Sequence, residues 1–244
     1  MPIYGLIGKK LAHSFSKDYF TKKFKKEGLV DHEFRLFELG DITQVTELAK
    51  QDDLKGFNVT IPYKETIIPY LAQVSGSAQK VGAVNVVKIV DGQMHGHNSD
   101  YYGFKTSLEK WLPKEVDISA LVLGTGGASK AVTAALEDLS IPYQRVSRTQ
   151  SKGNLTYADL TGDRLLHHKL LVNTTPLGMA PEVDGYPELD YSKLDHSHYL
   201  YDLVYNPAQT VFLKKGEQRQ AHIKNGLEML HLQADRAWDI WMQS

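Results

Sequence analysis

Residues 121–129 read Leu121-Val122-Leu123-Gly124-Thr125-Gly126-Gly127-Ala128-Ser129, so an apolar run turns directly into a glycine-rich segment. The stretch 130–139 that follows has a helical pattern, and the whole predicts strand, tight turn and helix. Backbone amides can approach a pyrophosphate only where side chains are absent, and the start of a helix adds a partial positive charge. The segment therefore predicts a Rossmann-like, dinucleotide-binding domain.

The next predicted strand, 143–146, indicates which dinucleotide binds. It ends in Ser147-Arg148-Thr149 and not in an aspartate or glutamate. A carboxylate at this position would bind the ribose 2′-hydroxyl of NAD, whereas an arginine can pair with the 2′-phosphate of NADP. The sequence favours NADP, and the alternative is that Arg148 is a solvated loop residue.

The first hundred residues alternate short apolar runs with amphipathic segments. We predict strands at 3–7, 33–37 and 57–61, with helices at 15–27 and 42–50 between them, which is the βαβαβ order of a parallel sheet. Two further strands, 84–90 and 93–97, flank Asp91-Gly92, a signal for an antiparallel hairpin. The fold class is therefore α/β with two domains, a mostly parallel N-terminal domain and the Rossmann-like domain.

The end of the strand predicted at 57–61 carries reactive groups. The stretch reads Gly56-Phe57-Asn58-Val59-Thr60-Ile61-Pro62-Tyr63-Lys64-Glu65. Pro62 cannot continue a central ladder, so the chain must leave the sheet there. Open α/β sheets hold ligands at this edge, which makes Thr60 and Lys64 site candidates. An isolated lysine is more often a surface residue.

Composition restricts the possible functions. The chain has 244 residues, a formal net charge of -1 and no cysteine, which gives no overall basic field for nucleic acid or an anionic membrane and excludes disulfides and thiolate metal sites. No run of 18 apolar residues occurs. We expect a cytoplasmic protein with no nucleic-acid or membrane partner. We expect no metal site either, because the pairs His95/His97 and His196/His198 lack a clear third ligand.

The ordered motifs of the chain resemble shikimate dehydrogenases over essentially its full length. In the first part they are Ala12-His13-Ser14-Phe15-Ser16, residues 58–64, Gly82-Ala83-Val84-Asn85 and Asn98-Ser99-Asp100. In the second part they are residues 124–128, Ser147-Arg148-Thr149 with Lys152, Asn173-Thr174-Thr175-Pro176-Leu177-Gly178-Met179, Tyr201-Asp202-Leu203-Val204-Tyr205-Asn206-Pro207, and Asn225-Gly226-Leu227-Glu228-Met229-Leu230 with Gln233. The chain departs from the family pattern at two positions. The family commonly has proline where this chain has Lys17, and threonine where it has Ser99.

The resemblance implies NADPH-dependent, reversible reduction of 3-dehydroshikimate to shikimate in the chorismate and aromatic amino acid pathway. It implies Lys64 and Asp100 as the catalytic pair, because a lysine can stabilise the developing alkoxide and a carboxylate can hold the amine. The implied substrate-binding residues are Ser14, Ser16, Thr60, Lys64, Asn85, Asp100, Tyr205 and Gln233. The implied cofactor-binding residues are Gly124, Thr125, Gly126, Gly127, Ala128, Ser147, Arg148, Thr149, Lys152, Leu203 and Gly226.

Several questions stay open at this stage. Lys64 can act as an acid–base group or electrostatically, and Asp100 can also be a helix cap. Because Gln233 lies on the predicted helix 227–242, we expect residues 224–244 to complete a substrate domain formed by residues 1–101, with 102–223 binding NADP. A monomer and a homodimer are both compatible with the sequence. The alternatives are a quinate/shikimate-type enzyme of broader specificity and a noncatalytic ligand sensor, against which the retention of Lys64 and Asp100 argues.

Overall fold

The computed structural model describes residues 1–11, 14–114, 117–150 and 154–243. The chain divides into two compact units, one formed by Met1–Tyr102 with Gln233–Ser244 and the other by Gly103–Leu232. Both units are α/β with sheets rich in parallel strands, and the predicted fold class is confirmed.

The sheet of the first unit brings several strand ends to one edge. Its strands are β1 (Ile3–Gly8), β2 (Glu33–Glu38), β3 (Leu54–Val59), β4 (Gln73–Val74), β5 (Val86–Val90) and β6 (Gln93–His97), in the order β2-β1-β3-β5-β6-β4. Strand β1 pairs in parallel with β2 and β3. Strand β5 is antiparallel to both β3 and β6, as the Asp91-Gly92 hairpin predicts. The carboxyl ends of β1, β2, β3 and β6 and the start of β5 therefore share one edge.

The helices of this part of the chain are mostly short. They are α1 (Phe15–Lys26), α2 (Val45–Leu48), α3 (Tyr63–Thr66), α4 (Gly76–Val81) and α5 (Ser99–Trp111). The prediction of one helix over 42–50 was wrong, because a 3-10 turn, Ile42–Gln44, comes first, started by a capping box on Asp41. The strand predicted at 57–61 begins earlier and ends at Val59, so Thr60 lies just beyond it.

In the described part of the first unit, two apolar clusters contribute to the core. One contains Ile7, Phe57 and Val84, and the other is built from the aromatic residues Tyr4, Phe20, Phe24, Phe34, Trp238 and Trp241. The two tryptophans come from the terminal helix, Leu227–Met242, whose predicted bounds are confirmed. The Trp241 indole N–H donates to the Val87 carbonyl at 2.9 Å. A Cβ at Gly56 would lie 2.5 Å from the Trp241 ring, so this strand position requires glycine.

The second unit is a doubly wound parallel sheet. Its strands are β7 (Ala120–Leu123), β8 (Tyr143–Ser147), β9 (Asn154–Thr156), β10 (Leu170–Asn173), β11 (Tyr199–Asp202) and β12 (His222–Lys224), in the order β12-β11-β10-β7-β8-β9. Helices α6 (Gly127–Asp138), α7 (Gly162–His167) and α8 (Val211–Glu217) connect them, and the terminal helix is α9. All strand pairs are parallel. The strand order reverses between β7 and β10, the position at which such sheets bind ligands.

Candidate active site

Lys64 and Asp100 form a direct ion pair at the edge of the first sheet where β1, β2, β3 and β6 end. The Lys64 Nζ lies 2.7 Å from Asp100 Oδ2, and the two side chains are 27% and 13% exposed. Lys64 lies on α3, immediately beyond the strand end, and its carbonyl accepts a hydrogen bond from Val84 N at 2.7 Å. The lysine predicted from the strand end is therefore held at the sheet edge by its backbone and by a carboxylate.

Asp100 lies in the first turn of α5, and a neighbouring residue caps this helix. The Asn98 side chain accepts from Tyr101 N at 3.0 Å and donates to the Ala83 carbonyl at 2.9 Å. Asn98 is thus the residue that satisfies the helix start, while the Asp100 carboxylate bonds Lys64. The cap is therefore Asn98 and not Asp100, the candidate from the sequence, although an asparagine just before a helix is the usual signal for a cap.

Asn85 supports the same helix start. Its side chain accepts from Ser99 N at 2.7 Å and donates to Ser99 Oγ at 3.0 Å, and both residues are buried. A primary amide has two N–H donors, so one of them is available for a bound hydroxyl. Asn85, a predicted substrate-binding residue, thus positions Ser99, the residue preceding Asp100.

Three of the predicted substrate residues carry hydroxyls and follow β1 or β3 in the chain. Ser14 is the N-cap of α1 and accepts from Lys17 N at 3.3 Å, which leaves its own proton available for donation. Ser16 follows in the first helical turn and is half-buried. Thr60 N donates to the Ile7 carbonyl at 3.0 Å. The other two predicted substrate residues are divided between the units: half-buried Gln233 belongs to the first and Tyr205, on the protein surface, to the second.

The glycine-rich turn of the second unit has open space beside its backbone. Gly124 has φ +115, and a Cβ there would lie 2.6 Å from Thr174 Oγ1, so glycine is required. At Gly126 and Gly127 a Cβ would meet no atom within 4 Å. Thr125 and Ala128 are exposed alongside them. The start of α6 therefore offers open space next to its backbone, the arrangement that an anion needs at a helix N-terminus.

The segment predicted to bind a 2′-phosphate follows β8. Ser147 ends the strand, and its Oγ accepts from Thr149 N at 3.4 Å. Arg148 is exposed, so its guanidinium is accessible to an anion. Lys152, predicted from the family motif, lies outside the described residues, as do Ala12 and His13.

Leu203 and Gly226 are in close contact. Leu203 N donates to the Asn173 carbonyl at 3.0 Å. A Cβ at Gly226 would lie 2.1 Å from the Leu203 carbonyl oxygen. Gly226 is one of the cofactor-binding residues that the resemblance implies, and in the structure the backbone of Leu203 occupies the space that a side chain at position 226 would need.

Among the residues that the structure describes, neither pair of histidines considered as metal ligands belongs to a larger cluster of possible ligands. In the described residues no group of three or more His, Cys, Asp or Glu side chains is arranged to hold a metal ion. His198 is buried, with Nε2 2.9 Å from the Leu165 carbonyl and Nδ1 2.8 Å from Asp195 Oδ1. Both of its ring nitrogens are therefore used in the fold. A search of the helices in the same residues found none both long and apolar enough to span a membrane.

Comparisons with known proteins identify relatives of this chain. The family model described as shikimate dehydrogenase substrate binding domain matches residues 6–87. A protein of Clostridium beijerinckii named "Shikimate dehydrogenase (NADP(+))" is 39% identical, over 100% of this chain and 93% of that protein. A namesake from Methanococcus aeolicus is 32% identical, over 98% and 91%.

Solved structures of shikimate dehydrogenases are also similar to this chain. Shikimate dehydrogenase from Aquifex aeolicus has a TM-score of 0.87 and 32% identity, over 99% of this chain and 92% of that chain. The Thermus thermophilus enzyme, solved with NADP(H) and shikimate, has a TM-score of 0.86 and 27% identity, over 99% and 94%. The chain therefore belongs to the shikimate dehydrogenase family.

Proposed function

We propose that this chain catalyses the reversible, NADP(H)-dependent reduction of 3-dehydroshikimate to shikimate, a step of chorismate and aromatic amino acid biosynthesis. The observation that carries the proposal is the 2.7 Å contact between Lys64 Nζ and Asp100 Oδ2. It occurs at the carboxyl edge of an α/β sheet, where such folds bind ligands, in a chain that belongs to this family.

The reaction requires a group that stabilises charge on the substrate oxygen. When bound, NADPH supplies the hydride. Reduction of a ketone builds negative charge on its oxygen, and the Lys64 ammonium can stabilise that charge and donate a proton to it. The Asp100 carboxylate holds the ammonium in one orientation and can accept a hydrogen bond from a substrate hydroxyl. Lys64 and Asp100 are thus the proposed catalytic residues.

The remaining polar residues suit a carboxylated ring that bears several hydroxyls. Ser14 and Ser16 are proposed to bind the carboxylate, because hydroxyl groups near a helix start can stabilise an anion by hydrogen bonds without a buried counter-charge. The proposed partners of the ring hydroxyls are Thr60, Asn85, Tyr205 and Gln233. This assignment makes residues 1–101, with 224–244, the substrate domain and 102–223 the cofactor domain.

The proposed cofactor residues divide by the part of NADP that each holds. The glycine-rich turn, with Thr125 and Ala128, is assigned to the pyrophosphate, and its open backbone fits that group. Ser147, Arg148, Thr149 and Lys152 are assigned to the 2′-phosphate. Leu203 and Gly226 are assigned to the nicotinamide end. Arg148, where an NAD-binding site would carry a carboxylate, is the residue that favours NADP.

A steady-state assay of shikimate oxidation tests the proposal. Purified protein is supplied with shikimate or quinate, each with NADP⁺ or NAD⁺, and formation of the reduced cofactor is followed by absorbance. We expect the highest kcat/KM for shikimate with NADP⁺, and we expect Lys64→Ala to lower kcat by orders of magnitude. Comparable kcat/KM values for quinate and shikimate would assign the quinate/shikimate-type enzyme of broader specificity, and shikimate binding without turnover would assign a ligand sensor.

The proposal extends to a cytoplasmic enzyme that is either a monomer or a homodimer. Cell fractionation and light scattering of the purified protein test these two statements separately from the assay.

A further inference from the structure

Asp202 is a buried carboxylate for which the proposed reaction has no direct use. It is the last residue of β11 and lies opposite Asn173, the last residue of β10. It is 0% exposed. Its Oδ1 accepts from Asn173 Nδ2 and Val204 N, each at 3.0 Å, and its Oδ2 accepts from Thr210 Oγ1 at 2.5 Å. All three of these donors are uncharged.

A carboxylate in such a place is costly to keep. Burial raises the pKa of Asp202 to about 6, and the hydrogen bonds from Thr210, Val204 and Asn173 offset only part of that effect. Burying an ionised group without a counter-ion destabilises a fold, whereas an apolar residue would stabilise the end of a strand. The position therefore calls for a role that an apolar side chain cannot perform.

The bonds of Asp202 link three segments that leave the ligand edge of the second sheet. Its partner Asn173 accepts from Thr175 N at 3.0 Å and so shapes the turn after β10. Its partner Thr210 is the N-cap of α8 and accepts from Leu213 N at 3.4 Å. The bond to Val204 N is made within the turn after β11. One carboxylate thus fixes both turns and the start of a helix.

The residue between Asp202 and Val204 is Leu203, and its backbone is held on three sides. Asp202 precedes it, its N–H donates to the Asn173 carbonyl, and Gly226 lies against its own carbonyl. Loss of the Asp202 bonds would release Val204 N and Asn173 Nδ2, and both of these groups border Leu203. A displacement of that backbone would change the surface that Leu203 presents at the sheet edge.

We propose that Asp202 is a positioning residue that sets the backbone of Leu203 for the nicotinamide half of the cofactor. This inference rests on the proposed function, which assigns Leu203 to that half. It predicts that Asp202 affects binding of a ligand that carries nicotinamide and not binding of one that has only the adenosine half.

Calorimetric titration with two ligands separates these halves. NADP⁺ carries both, while adenosine 2′,5′-bisphosphate lacks the nicotinamide. We expect Asp202→Ala to weaken NADP⁺ binding about tenfold or more, as loss of hydrogen bonds to a buried charge implies, and to leave the bisphosphate within about twofold. Asp202→Asn should recover most of the affinity, because its Oδ1 can accept from Asn173 and Val204 and its amide can donate to the Thr210 hydroxyl.

Two further variants keep the result interpretable. Leu165→Ala removes a buried side chain of α7 and serves as the control for general loss of stability, with both affinities unchanged. Thr210→Val removes the donor to Oδ2 and keeps the side-chain shape. It should weaken NADP⁺ alone, and it carries the test if Asp202→Ala does not fold.

Equal weakening of both ligands in Asp202→Ala or Thr210→Val, or unchanged NADP⁺ binding, would overturn the inference and leave the proposed function standing. Wild-type protein that binds neither ligand would overturn both.

Discussion

The ionisation of Asp202 predicts a pH dependence of stability that one substitution should remove. Burial raises its pKa from 3.8 to about 6 in the folded protein, so the folded state binds this proton more tightly than the unfolded state. The contribution to stability is complete below about pH 3.8 and is lost as the pH rises through about 6. In total it corresponds to about 3 kcal/mol, of which about 2 kcal/mol falls between about pH 4 and pH 7.

The measurement is urea unfolding of wild-type protein and Asp202→Asn across that pH range, followed by circular dichroism and by tryptophan fluorescence. The free energy of unfolding of the wild type, relative to the variant, should fall by about 2 kcal/mol from the acidic end to the neutral end. Tyr191 also faces Asp202, but burial raises the pKa of its phenol, so it stays neutral throughout. Parallel pH profiles for the two proteins would refute the reasoning.

Asp195 supplies a control of opposite sign. Its carboxylate accepts from Ser197 and contacts His198, and these bonds lower its pKa. A lowered pKa gives stability that is present above the ordinary aspartate pKa and is lost only as the pH falls below it. Asp195→Asn should therefore change the profile mainly below about pH 4 and leave the loss between about pH 4 and pH 7 in place.

Three other substitutions test the site and the core. Lys64→Ala should lower kcat by about 10²–10⁴-fold with little change in KM, because the ammonium acts on charge in the transition state; an unchanged kcat in steady-state assays would exclude it from catalysis. Arg148→Ala should raise the KM for NADP⁺ far more than that for NAD⁺, and equal effects would reject the phosphate contact. Gly56→Ala brings a Cβ to 2.5 Å from Trp241 and should cost about 1–3 kcal/mol in urea unfolding. Gly76→Ala, where a Cβ meets no atom within 4 Å, is the matched control, and equal losses would show that the Trp241 contact is not the cause.

The sequence predicted elements whose pattern is long or chemically distinct. The glycine-rich turn after β7 and the Asp91-Gly92 hairpin could be predicted because both contain glycine, which readily adopts the backbone conformations that tight turns require. The strands β4, β9 and β12 were not predicted, because they have only two or three residues, too few to show alternation. The helices α3, α4, α7 and α8 were also not predicted. They have only four to seven residues, too few to show a helical repeat of apolar residues.

Sequence motifs name candidate residues for the site, whereas the contacts between these residues could not be predicted from the sequence. Lys64 and Asp100 are 36 positions apart, and only the intervening β5–β6 hairpin returns the chain to the same sheet edge. The support that Asn85 gives through Ser99, like the contact of Gly226 with the Leu203 carbonyl, depends on tertiary packing. Local sequence carries no periodic signal for such contacts.

Helix α9 carries Trp238 and Trp241 into the aromatic cluster around Tyr4 and Phe20, and this has a consequence for biosynthesis. Synthesis runs from the amino end, so Gly103–Leu232 is synthesised in full before Trp238 and Trp241 are added. The unit that starts first is therefore finished last. Until then, the aromatic residues of Met1–Tyr102 that pack on α9 lack two of their partners in the cluster.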